Sequence, residues 1–196
     1  AVESALSGVG KTVGKDSVVW YRRTISMPKK TNNKRYLLHF GASDWQTHVF
    51  INNKLAGIHT GGYDPFSIDI TSLLQKSETQ ELLVKVWDPT DDGSQPRGKQ
   101  TKNPHGIWYT PVTGIWQTVW LEAVPETYIS ATKQTADIDR KYINISAEVD
   151  GFIEATDRIS ITVYEGEKMI GMQETMPKQE VNIAVPGMQL WSPDNP

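Results

Sequence analysis

Gly61-Gly62-Tyr63-Asp64-Pro65-Phe66-Ser67-Ile68-Asp69-Ile70-Thr71 and, one loop later, Gly106-Ile107-Trp108-Tyr109-Thr110-Pro111-Val112-Thr113-Gly114-Ile115-Trp116-Gln117-Thr118-Val119-Trp120-Leu121-Glu122 decide the fold of this 196-residue chain. Glycine, proline and aromatic residues crowd the spaces between short runs that alternate apolar with polar side chains. That is the texture of β-strands joined by structured loops, not of helices.

The alternation extends in both directions. Val18 to Met27 reads as a strand rich in β-branched and aromatic residues, closed by the Met27-Pro28 step. Tyr36 to Phe40, Thr47 to Ile51, Leu55 to His59, Phe66 to Ile70, Glu81 to Trp87 and Gln117 to Ala123 follow the same rule. Asn52-Asn53-Lys54 predicts a hairpin turn between two of these runs, because asparagine tolerates the left-handed backbone that tight turns need. Asp69 to Leu74 predicts one capped helical turn. Asp88 to Asn103 is polar and irregular, and connections of that length are usually functional or mobile.

The texture changes after Pro125, since six of the seven tryptophans precede it. Short alternating runs then recur at Tyr128–Thr132, Tyr142–Val149, Ile159–Tyr164, Lys168–Gln173 and Glu180–Val185, the pattern of an immunoglobulin-like sandwich. No helix-period segment and no internal repeat is visible. The expected architecture is all-β, with a boundary at residues 124 and 125.

Composition narrows the functions. A chain of this length with 38% hydrophobic residues has room for two cores. The net charge of −3, with acids and bases interleaved, offers no basic stripe, which argues against nucleic acid as a partner. No apolar run is long enough to cross a bilayer as a helix, which argues against a membrane partner, and Ala1-Val2-Glu3-Ser4 lacks the features of a leader. With no cysteine there is no disulfide and no thiolate chemistry, while the compartment stays open, a periplasmic or secreted one being favoured.

Candidate side chains fall into three groups. Trp20, Trp87, Trp116 and Trp120 read as strand residues and are expected to fill the core. Trp45, Trp108 and Tyr109 sit in loops, where an aromatic face can stack on the apolar face of a sugar ring. His59 and His105 lie beside Gly61-Gly62 and Gly106, as pocket linings or as loop supports, whereas His39 and His48 read as structural.

Arg97 and Lys99 either anchor the long loop or meet a substrate carboxylate. The acids fall in turns and read as solvated side chains. Asp88, Asp91 and Asp92 read as an acidic turn and not as a calcium loop. Catalytic residues, metal ligands and cofactors are therefore not expected. Trp108, Tyr109, His105 and Trp45 remain as candidate carbohydrate contacts.

Trp20-Tyr21-Arg22-Arg23, Phe50-Ile51-Asn52-Asn53-Lys54, the Gly61–Thr71 element and Thr113-Gly114-Ile115-Trp116-Gln117 together resemble the non-catalytic sugar-binding domain of glycoside hydrolase family 2, the family of β-galactosidases and β-glucuronidases. The resemblance implies a jelly-roll, galactose-binding-like sandwich over residues 1–124, then an immunoglobulin-like sandwich over 125–196. In the family a (β/α)8 barrel with two catalytic glutamates follows.

The partners so implied are carbohydrate and, within a longer protein, that barrel. Where better-studied members carry an aspartate six residues before the last motif's glycine, this chain has Trp108. Leu190-Trp191-Ser192-Pro193-Asp194-Asn195-Pro196 resembles the segment before the last strands of the second domain, and Ala1 to Gly8 a point after the first strands, so the expectation is a fragment cut at both ends. The implied role is the non-catalytic start of a retaining glycosidase, and the rival reading is a stand-alone carbohydrate-binding module.

Overall fold

The computed structural model describes residues 2–27 and 34–194, so Ala1, Pro28 and Asn195-Pro196 of the readings above lie outside the described residues. The chain is all-β, as its sequence predicts, and divides into two compact units, Ala1–Val124 and Pro125–Pro196.

The first unit contains β1 (Val19–Ser26), β2 (Lys34–Phe40), β3 (Ser43–Asp44), β4 (Gln46–Ile51), β5 (Lys54–Thr60), β6 (Phe66–Asp69), β7 (Thr79–Trp87), β8 (Gly114–Ile115) and β9 (Val119–Pro125). One sheet runs β1-β7-β4-β5, a second β6-β2-β9, and β3 pairs with β8 in a short ladder. Strict alternation drives this layering: β7 buries Gln80, Leu82, Val84 and Val86, and β4 buries Thr47, Val49 and Ile51. Tyr36, Leu38 and Phe40 of β2 complete the core with Ile70. Each large apolar side chain so buried contributes about 1.5–3 kcal/mol.

The β4–β5 hairpin closes on Asn52 and Asn53, both at positive φ, which makes the turn one residue shorter than the sequence predicts. The helical turn is a 3-10 turn at Thr71–Leu73, where Asp69 Oδ1 accepts the Thr71 N–H at 2.9 Å.

Three of the four tryptophans expected in the core are outside it. Trp20, Trp116 and Trp120 are 53%, 42% and 46% exposed. For Trp20 and Trp120 the cause is parity, whereas Trp116 lies just past β8, outside any strand. Tyr21 and Ile25 turn inward from β1, so Trp20 points the other way and stacks on Phe50 at 6.1 Å. Val119, Leu121 and Ala123 turn inward from β9, so Trp120 lies outside and stacks on His39 at 4.8 Å. Trp87 is half-buried, its indole N–H donating to the Lys15 carbonyl at 2.7 Å.

The second unit contains β10 (Tyr128–Asp137), β11 (Tyr142–Asp150), β12 (Ile159–Glu165), β13 (Lys168–Thr175) and β14 (Glu180–Ala184). The order β10-β11-β14 forms one antiparallel sheet and β12-β13 a hairpin. Ile145, Val181 and Ile183 of the sheet meet Ile161 and Val163 of the hairpin. β10 runs five residues past its predicted end, held by its full register against β11.

Candidate functional site

The two diagnostic stretches meet at one end of the first unit. Asp44 closes β3 opposite Gly114 of β8, and the Gly61 N–H donates to the Trp45 carbonyl at 3.2 Å, which brings the turn after β5 alongside. Gly62 is required here: a Cβ at that position would come 2.5 Å from Asp44 Oδ1, so only glycine lets the carboxyl lie against the turn. The next residue, Tyr63, stands edge-on to Trp116 at 6.3 Å, and the Trp116 indole N–H donates to the Gly62 carbonyl at 2.8 Å.

The long loop supplies the remaining wall. Tyr109 is laddered to it by its N–H to the Lys99 carbonyl and by the Thr101 N–H to its own carbonyl, both at 3.0 Å. A Cβ at Gly98 would stand 3.1 Å from the Tyr109 hydroxyl and 3.3 Å from that of Tyr63, so the two phenols meet over one glycine. Tyr63 and Tyr109 are 47% and 50% exposed, and Trp108 beside them is 39% exposed. The result is a half-open aromatic face with hydroxyls at its centre.

Carboxylates lie beneath it, which corrects the expectation that the acids are solvated. Asp44 and Asp88 are 4% and 2% exposed. Asp88 accepts the Thr90 N–H at 2.7 Å and the Thr113 hydroxyl at 2.9 Å, and Glu3 accepts the Thr113 N–H at 3.1 Å. Burial raises the Asp44 carboxyl to a pKa of about 6, with the charges of Asp88 and Glu3 adding to the rise and the Gln100 amide opposing it. The Tyr63 hydroxyl is also pushed up, first by burial and then by the Asp44, Tyr109 and Asp88 charges, against a lowering hydrogen bond from Gln100. Asp91, by contrast, is held below the usual carboxylate range, chiefly by accepting the Lys102 N–H.

Of the four residues singled out in the sequence, Tyr109 is on this face and Trp108 follows the turn leading into it, its N–H donating to the His105 carbonyl at 2.9 Å. His105 itself is exposed and bonds the Asn103 carbonyl at 2.7 Å, within its own loop. Trp45 is half-buried and serves the turn through its carbonyl. Arg97 donates to the Asp91 carbonyl at 3.0 Å, as a loop anchor does. His59 is stacked on Phe66 at 4.1 Å, and His39 bonds Ser67 at 2.6 Å and Glu122 at 3.1 Å.

Sequence reasoning missed Asp44, Tyr63 and Gln100. Tyr63 was within reach, because an aromatic directly after Gly61-Gly62 marks a ring on a turn. Among the described residues no group of three histidine or carboxylate side chains is placed to hold a metal ion. What the face offers chemically is ring stacking together with hydroxyl hydrogen bonds, the combination by which proteins hold sugars.

Residues 10–125 match the family model described as glycosyl hydrolases family 2, sugar binding domain. The β-galactosidase BoGH2A of Bacteroides ovatus is 25% identical over 97% of this chain and 23% of its own length, and human β-glucuronidase 24% identical over 89% and 30%. Among solved structures, a β-glycosidase from Bacteroides vulgatus has a TM-score of 0.68 at 24% identity, covering 91% of this chain and 22% of its own. Bacteroides uniformis β-glucuronidase 3 has a TM-score of 0.70 at 19% identity over 90% and 23%, a likeness of fold. The chain thus spans less than a third of the length of each of these relatives.

Proposed function

We propose that this chain, which belongs to glycoside hydrolase family 2 through its sugar-binding domain, is the non-catalytic N-terminal part of a retaining glycosidase. That enzyme acts on the O-glycosidic bonds of a plant or host glycan. In this reading residues 1–124 are the jelly roll and 125–196 the immunoglobulin-like sandwich, and both support a catalytic (β/α)8 barrel. The aromatic face of Tyr63, Tyr109 and Trp116, with Trp108 beside it, forms part of the wall that meets substrate.

The observation that carries the reading is the convergence of the Gly61–Thr71 and Gly106–Glu122 elements on that face, through Trp116 to Gly62 and Tyr63 to Tyr109. Three half-exposed rings around shared hydroxyls are more than a sandwich edge needs for stability. A stand-alone carbohydrate-binding module would draw on the same exposed rings, with Trp20 and Trp120 added. Titration calorimetry of the chain against plant and host oligosaccharides separates the two. An accessory part gives no heat, whereas saturable binding to one glycan by the chain alone would favour the module.

A further inference from the structure

The two sheets of the first unit leave the sandwich open along one side. β1 ends the order β1-β7-β4-β5 and β9 ends β6-β2-β9, and among the described residues neither pairs with a strand on its other edge. Between them runs a groove of about 690 Å³, with Leu38, Phe40 and Val84 at its base. Tyr21 and Ile25 of β1 and Val119 and Leu121 of β9 turn towards the core yet are only half-buried, whereas the three base residues are at most 2% exposed. The core lacks cover along this side.

Arg23 shows what a cover must bring. It is paired with Leu82, so it stands on the core-facing side of β1, between Tyr21 and Ile25, and it lines the groove. It is exposed, and no carboxylate among the described residues meets it. Anything that fills the groove covers this guanidinium, and a buried cation needs an anion. The two strand edges, for their part, carry backbone N–H and C=O groups that only an extended chain can pair along their length.

We propose that the groove receives one further β-strand of a longer protein, with alternate apolar side chains turned onto Leu38, Phe40 and Val84 and one carboxylate turned onto Arg23. The proposal rests on reading this chain as part of a longer glycosidase: an open edge invites aggregation, and a strand tethered to the same polypeptide fills it at high effective concentration. A second copy is a poor occupant. Two β1 strands paired antiparallel about their middles set Arg22 against Arg23, and two β9 strands set Glu122 against Glu122.

An inward-turned arginine can instead serve only to keep strands off an open edge, and the test separates the two roles. Two synthetic peptides, acetyl-Thr-Val-Thr-Val-Thr-Glu-Thr-amide and the same sequence with Gln for Glu, are titrated into the isotope-labelled chain at neutral pH and followed by NMR. The glutamate peptide is expected to shift backbone amides of β1 and β9 saturably, while β5, the opposite edge of the larger sheet, stays unmoved. The glutamine peptide should bind at least about tenfold more weakly. Arg23→Gln, a change at an exposed side chain that should melt as the wild type does, should bring the two affinities within about twofold. The longer protein, its groove already filled, should take up neither peptide.

No saturable shift up to about 5 mM peptide, equal affinity for the two peptides, a preference that survives in Arg23→Gln, shifts confined to β5, or dimerisation of the chain through β1 would each overturn the proposal. Binding by the longer protein as tight as by the chain would place the strand in another protein, and overturns it too. None of these readouts involves a sugar or its cleavage. Failure of the glycosidase reading therefore shows separately, in the calorimetry, from failure of this one.

Discussion

The Tyr21 hydroxyl accepts the Ile115 N–H at 3.2 Å, and the same ring packs against the Cα of Gly114. β1 of the large sheet is thereby tied to β8, the strand that faces Asp44. Gly114 has φ +98, a conformation that costs any residue with a Cβ, and a Cβ there would collide with the Tyr21 hydroxyl. Gly114→Ala should therefore lower stability by at least about 2 kcal/mol, read as a shift in the urea midpoint with an unchanged slope. Tyr21→Phe in the same background should recover part of the loss, because it removes the atom that collides.

Parity, not size, decides which aromatic rings carry the first unit. Phe40 is fully buried while Trp120, though larger, is half-exposed. Phe40→Ala should cost about 3–5 kcal/mol, and Trp120→Ala and Trp20→Ala about 1 kcal/mol or less. Chemical denaturation of the three variants checks the order.

Stability should depend on pH through Asp44. Its carboxyl titrates at about 6 in the fold against an ordinary value of 3.8, so the fold favours the protonated form. That contribution is fully present below about pH 4 and is lost as pH rises through 6. It is worth at most about 3 kcal/mol. Thermal melts between pH 4 and 8 should show this component in the wild type and not in Asp44→Asn, which should be the more stable of the two at pH 8.

Protection against hydrogen exchange should differ between the units. β4 and β7 are paired on both sides and bury alternate residues, whereas β10 lies at a sheet edge with Ile129 to Ala136 exposed. Amides of β7 should exchange slowest and those of β10 markedly faster. Equal protection in the two strands would mean that the small cluster of Ile145, Val181 and Ile183 holds its unit more firmly than its size allows.

Much of this could be read from the chain before its structure. The strands, the Asn52-Asn53 turn and the family likeness all rest on local pattern, which a sequence displays directly. Trp20 and Trp120 depart from the expectation because size was weighed above parity, although Tyr21, Ile25, Val119 and Leu121 already mark the inward phase of their strands. Asp44 and Gln100 were invisible for a different reason. They are 56 residues apart, and each acquires its role only when the β3–β8 ladder and the turn at Gly62 bring loop and strand together. Tyr109 stands out because it lies in a loop dense with aromatics and Tyr63 because it directly follows Gly61-Gly62, but that both rings lie beside Gly98 shows only in the fold.

The central claim is that this chain contributes to a glycosidase without performing the cleavage. Asp44 and Asp88, two carboxyl groups at this end of the unit, are buried and engaged with Gln100, Thr90 and Thr113. The most direct measurement is hydrolysis of a panel of aryl β-glycosides, galactosides and glucuronides included, by the purified chain. The expected result is no turnover above the buffer rate on any of them. Turnover that a single Asp→Asn or Glu→Gln substitution within the chain abolishes would contradict the account.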